Sequence, residues 1–447
     1  MKKTSALLLS SAMMVSLLAG CGGQPAEEQT NKGAANAGQV NLKLYTWLSE
    51  DTAHWSKILP EFYKEYPNIK VDVNILATKD DAHEAMKKLD LAAASGQEMD
   101  VVMLNNSTGY SQRVNAGMLA PLDDYLKADG VTYDSEYKAT TQINGKYYAL
   151  PGRLLTWFVL LNKQKLDEAG LPVPKEWTWD EFMDYSKKLT KGEGPSKLYG
   201  TYFHAPNWMQ YITLANVNNP ENNQIVSSDG KVNINTDRIR KSLQIANQVE
   251  NVDKSAHSYA DVISQKLTYR NEYFGGKAAM IPTGNWMITE TAGTAAIPAK
   301  FVTAFAPYPK YSKDDPNGQT LATIDYVGVA ASSKHPKEAY QFTRWFSTKG
   351  ILAAENMISS WNKADLNKMI DGLLKTGTNP EMVDRTSLEY VMNSAKAVKI
   401  VAPPAYIVDA ESRYTSEVEK YLLGKQDLET TITNAEKAVT DVVKTNK

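Results

Sequence analysis

Val40-Asn-Leu-Lys-Leu-Tyr-Thr-Trp47 and Ile69-Lys-Val-Asp-Val-Asn-Ile75 place apolar residues at every second position, the period of a strand whose two faces differ. Between them, Thr52 to Tyr66 carries Trp55, Ile58, Leu59, Phe62 and Tyr66 at helical spacing, and Pro67-Asn68 stops it. Ala82 to Ser95 is rich in Ala and Lys, has Ala85, Met86, Leu89 and Ala93 on one face, and closes at Gly96. Asp100 to Leu104 then reads as a short buried strand. Parallel strands need long crossovers, so strand-helix-strand-helix-strand predicts an α/β fold with a mainly parallel sheet flanked by helices. Ligands of such sheets sit beyond the carboxyl ends of the strands. Trp47 to Asp51 and Asn105 to Thr108 occupy those ends, and both are polar or aromatic where a plain loop would serve.

The segment before Val40 has a different character. Lys2 and Lys3 precede an apolar run from Ala6 to Ala19, too short to span a bilayer, with the layout of a secretory leader. It ends Leu18-Ala-Gly-Cys21, and Cys21 is the single cysteine of 447 residues. That ending resembles a bacterial lipobox, which implies cleavage before Cys21, a lipid on Cys21 and an extracytoplasmic location at the cell membrane. Residues 1–20 are then the signal peptide and residues 21–39 a flexible tether, since Gly22 to Gln39 holds no apolar residue larger than Ala. The alternative is an ordinary secreted chain. With no cysteine pair the fold relies on packing, and a net charge of −2 gives no footprint for nucleic acid.

Further along, several short motifs recur in order: Phe62-Tyr-Lys-Glu-Tyr-Pro-Asn-Ile-Lys-Val71, Ala94-Ser-Gly-Gln-Glu-Met-Asp-Val101 and Gly117-Met-Leu-Ala-Pro-Leu-Asp-Asp124. Asn144-Gly-Lys-Tyr-Tyr-Ala-Leu-Pro151 and Leu161-Asn-Lys163 follow, then Gly170-Leu-Pro-Val-Pro with Trp177-Thr-Trp-Asp-Glu-Phe182. Phe274-Gly-Gly-Lys-Ala-Ala-Met280, Gly284-Asn-Trp286 and Ser333-Lys-His-Pro-Lys-Glu-Ala-Tyr-Gln-Phe342 complete the set. Across Leu42 to Trp361 the chain resembles the extracellular solute-binding proteins of sugar-type ABC transporters, the group of the maltose-binding protein. Met99 stands where that family usually carries Pro, and Asn362 to Lys447 matches only in being helical.

The resemblance implies a two-lobed periplasmic-binding-protein-like fold with a multi-crossing hinge. It places lobe 1 at 40–152 and 326–362 and lobe 2 at 153–325 and 363–447, with crossings near Pro151–Arg153 and Ala322–Val329. It also implies a monomer that captures a carbohydrate, an oligosaccharide, in the cleft and delivers it to the permease subunits of an ABC importer. Gly152 and Gly328 are candidate hinge positions. No cofactor, metal or catalytic residue is expected.

A sugar ring offers an apolar C–H face and an edge of hydroxyls, which suits flat aromatics beside directional polar groups. Trp47, Trp208, Trp286 and Trp361 are the candidate stacking rings, with Trp286 in the family's Gly-x-Trp turn. Trp55, Trp177, Trp179 and Trp345 read as structural, and Trp157 could be either, with the buried-strand pattern of Phe158 to Leu161 favouring the core. Asp51, Asn105, Asn106, Arg153 and Asp325 are candidate polar partners, although Asp51 could instead cap a helix. Arg153 leaves open whether the sugar is neutral or acidic.

The competing class is a surface glycan-acting hydrolase or lyase with two carboxylates across a cleft. Asp123-Asp124 and Asp180-Glu181 are sequence neighbours and do not face each other. His54, His83, His204, His257 and His335 lack metal-ligand spacing. A structural or adhesive lipoprotein is the other alternative.

Overall fold

The computed structural model describes residues 38–77, 81–203, 209–220 and 222–446. Cys21, the signal-peptide segment, residues 21–37 of the tether and Trp208 lie outside the described residues. Eight strands form one sheet: β1 (Val40–Thr46), β2 (Ile69–Ile75), β3 (Val101–Leu104), β4 (Ala149–Asn162), β5 (Tyr199–Thr201), β6 (Ala278–Gly284), β7 (Thr303–Pro307) and β8 (Ala322–Val329). The order is β2-β1-β3-β8-β4-β6-β5, with β7 also paired to β4.

The parallel reading of the opening segment holds, since β1 pairs in parallel with both β2 and β3. β5 and β6 are parallel as well. The strands joining these regions, β8 and β4, run antiparallel to each other, to β3 and to β6. They are antiparallel because the chain leaves the first region along β4 and comes back along β8.

One helix differs from the sequence reading. The stretch from Thr52 to Tyr66 is two helices, Glu50–Ala53 and Trp55–Glu65, broken at His54 with φ 56°. The break turns Trp55 inward, where its ring stacks on Phe346 at 5.6 Å and its Nε1 donates to the Leu48 carbonyl at 3.0 Å. Burying an amphipathic ring with its N–H satisfied offsets the left-handed backbone. Asp51 consequently sits in the first turn of the short helix, which Ser49 and not Asp51 precedes.

Apolar packing divides by chain segment. One buried cluster draws on Leu42 to Leu150 and again on Ile324 to Met357. Three others draw on Trp157 to Leu321 and on Ile358 to Val443. Trp345 is 4% exposed within the first cluster, and Trp177 and Trp179 are buried in the second, where Thr178 and Glu181 form a capping box.

Residues 396–411 run between these bodies. Val398 packs in one cluster of the second group, whereas Ile400 and Ala402 pack against the first. Ser111 Oγ donates to the Pro403 carbonyl at 2.7 Å, and Gln224 Nε2 donates to the Val401 carbonyl at 2.8 Å. The helix Ile407–Leu422 then returns to the second group through Ile407, Ala410 and Tyr414.

Candidate functional site

β4 and β8 meet out of register between Ile324 and Tyr326, so that Gly152 and Arg153 of β4 face Asp325 alone. This is a β-bulge, which twists a ladder locally and re-aims a side chain. A third segment joins there: Leu154 N–H donates to the Ile358 carbonyl at 2.8 Å, and Ser360 N–H to the Gly152 carbonyl at 3.3 Å. Three segments that pass from one packed body to the other therefore meet at the bulge. Neither Gly152 nor Gly328 has a positive φ; a Cβ on Gly328 would lie 3.0 Å from both Leu119 Cδ2 and the Tyr148 carbonyl, so close approach explains that glycine.

Arg153 Nε donates to Asp325 Oδ2 across the bulge. Asp325 is fully buried, and its Oδ1 has no partner among the described residues. Burial raises the Asp325 carboxyl above the ordinary range, and the Arg153 charge and hydrogen bond oppose that rise. Trp47, 3% exposed at the carboxyl end of β1, has its ring centre 5.9 Å from Arg153 Cζ. Arg153, Leu155 and Trp157 alternate onto one face of β4, and Arg153 and Leu155 are only half-buried.

At the far end of this stripe stands an aromatic group. Trp157 meets Trp286 edge to face at 5.2 Å and 72°, and Tyr211 at 5.6 Å and 61°. Trp157 is buried, as its core reading requires, yet its Nε1 has no partner among the described residues. Trp286 follows β6 in a single 3₁₀ turn and is half-buried. Asn285 fixes that turn by donating Nδ2 to the Leu154 carbonyl at 2.9 Å.

The carboxyl end of β3 is more divided. Asn106 caps the helix Ser107–Asn115, its Oδ1 accepting from Gly109 N–H at 2.7 Å, so its side chain already has a structural task. Asn105 is half-buried. Asp51 is exposed. Trp361 is half-buried, and its Nε1 donates to Glu136 Oε1 at 2.6 Å, while Glu136 also pairs with Arg344 at 3.2 Å. The geometry thus groups Trp47, Arg153 and Asp325 at the bulge and Trp286 with Trp157 beyond it, and gives Asn106 and Trp361 partners of their own.

Glu411 escaped the sequence reading. It hydrogen-bonds the Thr108 side chain from the helix Ile407–Leu422, and burial pushes its carboxyl up to about 7. Its signal was present: the position four after Ile407 falls on the stripe that continues through Tyr414 and Val418, where an apolar residue is expected.

The family model for bacterial extracellular solute-binding proteins matches residues 46–351. The chain belongs to that family. The diacetylchitobiose binding protein of Streptomyces coelicolor is 23% identical over 354 residues, 77% of each chain. A sugar transporter from Rhizobium etli, solved in an open conformation, superposes with a TM-score of 0.71 at 22% identity, covering 91% of this chain and 100% of that one. A Listeria monocytogenes ABC substrate-binding protein solved with cycloalternan gives 0.72 at 21% identity, with 90% and 98% covered. The fold is accordingly the two-lobed periplasmic-binding-protein-like one, and the family and its neighbours are binding proteins.

Proposed function

We propose that this solute-binding protein captures an oligosaccharide in a cleft lined by the β4–β8 stripe and delivers it to an ABC importer by closing two lobes. The observation that carries the reading is the stripe itself. Flat rings stand at both ends, Trp47 and Trp286, with the Arg153–Asp325 pair between them. Trp286 and Arg153 are partly exposed on it and offer an aromatic face to sugar C–H groups and a polar edge to hydroxyls, while Trp47 and Asp325 lie buried beneath them. That relatives bind diacetylchitobiose and cycloalternan supports a neutral, multi-ring cargo.

The lobes in this reading are 40–152 with 326–362, and 153–325 with 363–447. The division of the buried clusters supports two lobes of this kind with two borders displaced by a few residues, since Ile324 already packs in the first cluster and Ile358 already packs in the second group. Bending about the bulge would bring Trp47 and Asn105 toward Trp286. Asp51, Asn106, Trp208 and Trp361 complete the proposed contact set. A lipid on Cys21 holds the body at the outer face of the cell membrane.

A thermal-shift screen against neutral and uronic oligosaccharides tests the reading. A binder present at 100 times its Kd adds about 2.7 kcal/mol to stability, a plain rise in melting temperature. A response to none of the sugars, or recovery of a cleaved sugar, rejects it.

A further inference from the structure

Gly284 ends β6 opposite Trp157, with φ −122° and ψ 175°. That is ordinary extended backbone, open to any residue, so backbone freedom does not account for a glycine. Glycine within a strand weakens it and marks a place where something approaches closely. What approaches is a ring. A Cβ built on Gly284 would lie 1.9 Å from Cζ3, 2.4 Å from Cε3 and 2.7 Å from Cη2 of Trp286, and these are its three nearest heavy atoms.

The six-membered ring of Trp286 therefore lies back over the Gly284 α-carbon. Trp157 meets it edge to face at 5.2 Å, and the Asn285 bond to the Leu154 carbonyl fixes the turn that carries it. The Trp286 ring is thus held by backbone beneath it and by an aromatic beside it, and is still only partly buried.

We propose that Gly284 is a positioning residue for ligand: its missing side chain lets Trp286 lie flat as a platform set before any sugar arrives. The inference rests on the carbohydrate-binding reading of this cleft. A preset ring loses no rotamer freedom when a pyranose C–H face stacks on it, which is where preorganisation adds affinity. An alanine at 284 would lift the ring by more than an ångström and tilt the platform away from the sugar.

The test compares Gly284→Ala, Trp286→Ala and the double variant by melting temperature, by the far-ultraviolet exciton couplet of the Trp157–Trp286 pair, and by calorimetric titration with diacetylchitobiose, mannotriose and cycloalternan. Trp286→Ala is expected to weaken the responding sugar by about 5- to 150-fold. Gly284→Ala should lose the couplet and fall in the same range of affinity while melting no lower than the parent. The double variant should bind no more weakly than Trp286→Ala, because both changes remove one platform. A glycine needed only for folding would instead lower the melting temperature. Gly284→Ala that keeps both couplet and affinity, or losses that add in the double variant, overturns the proposal. Should the single variant not fold, the double variant must fold, since the clash is gone; its failure too would overturn the proposal. Trp286→Ala binding as tightly as the parent sinks the reading of the cleft itself, and the platform with it, whereas a loss confined to Trp286→Ala sinks the positioning role alone.

Discussion

Arg153 and Asp325 show how burial changes what a charge does. The Arg153 side chain is 11% exposed and that of Asp325 1%, so the pair has little water to fall back on. Removing one partner of such a pair strands the other. Arg153→Ala is expected to cost about 3–5 kcal/mol in denaturant unfolding, against less than about 1 kcal/mol for an exposed ion pair. Restoring stability with Asp325→Asn in the Arg153→Ala background would show that the loss came from the stranded carboxylate. Glu250 is a second carboxyl raised by burial. It lies 8% exposed where the helix Asp237–Asn247 loosens into a π turn, its Oε2 accepting from Tyr259 N–H at 3.0 Å, and burial pushes its carboxyl up to about 8. A carboxyl raised on folding binds its proton more tightly when folded. Its stabilising contribution is whole below the ordinary carboxylate range and drains away as pH climbs toward 8, at about 1.4 kcal/mol per unit. Melting curves of the parent should fall across that window, and those of Glu250→Gln should stay flatter.

At the scale of elements, the strands were open to reading wherever period two survived. Val40–Thr46 and Ile69–Ile75 are strands at the positions the alternation marks. The His54 break was not legible, because helical spacing continues through it and its cause, the Phe346 ring under Trp55, lies almost three hundred residues away in sequence. The same reason separates the legible from the illegible among the site residues. Trp286 was marked by a local motif, whereas Asn106 as a cap and Trp361 as a donor to Glu136 depend on neighbours that only the fold supplies. The 396–406 segment was opaque for want of periodicity. Its hold on the helix Ser107–Asn115 is a buried hydroxyl on a carbonyl, and Ser111→Ala would leave the Pro403 carbonyl unpaired. A cost of about 1–3 kcal/mol is expected, seen first as faster amide exchange over residues 396–406. Unchanged exchange there would mean that the Gln224 bond, the backbone pairing of Lys396 and Val398 and the apolar contacts hold the segment without Ser111.

For the molecule as a whole, closing on ligand should reduce the radius of gyration in small-angle scattering once a responding sugar is added. Identical profiles with and without that sugar would count against hinge closure. Anchoring is separable from folding: Cys21→Ser should give a folded, sugar-responsive protein that keeps its leader or is shed to the medium, and normal membrane retention of that variant would remove the lipid from the account.

The central place of β8 has a consequence for how the chain is made. Leu104 of β3 finds Tyr326, and Leu150 of β4 finds Val327, so the strand that joins the two ends of the sheet is supplied after both. A nascent chain that stops before Ala322 holds β3 and β4 with bare edges and the first buried cluster without its second half. Loops of that length close slowly, and unpaired edges invite other chains. Synthesis therefore passes through a long interval in which most of the sequence is present and the sheet cannot be finished.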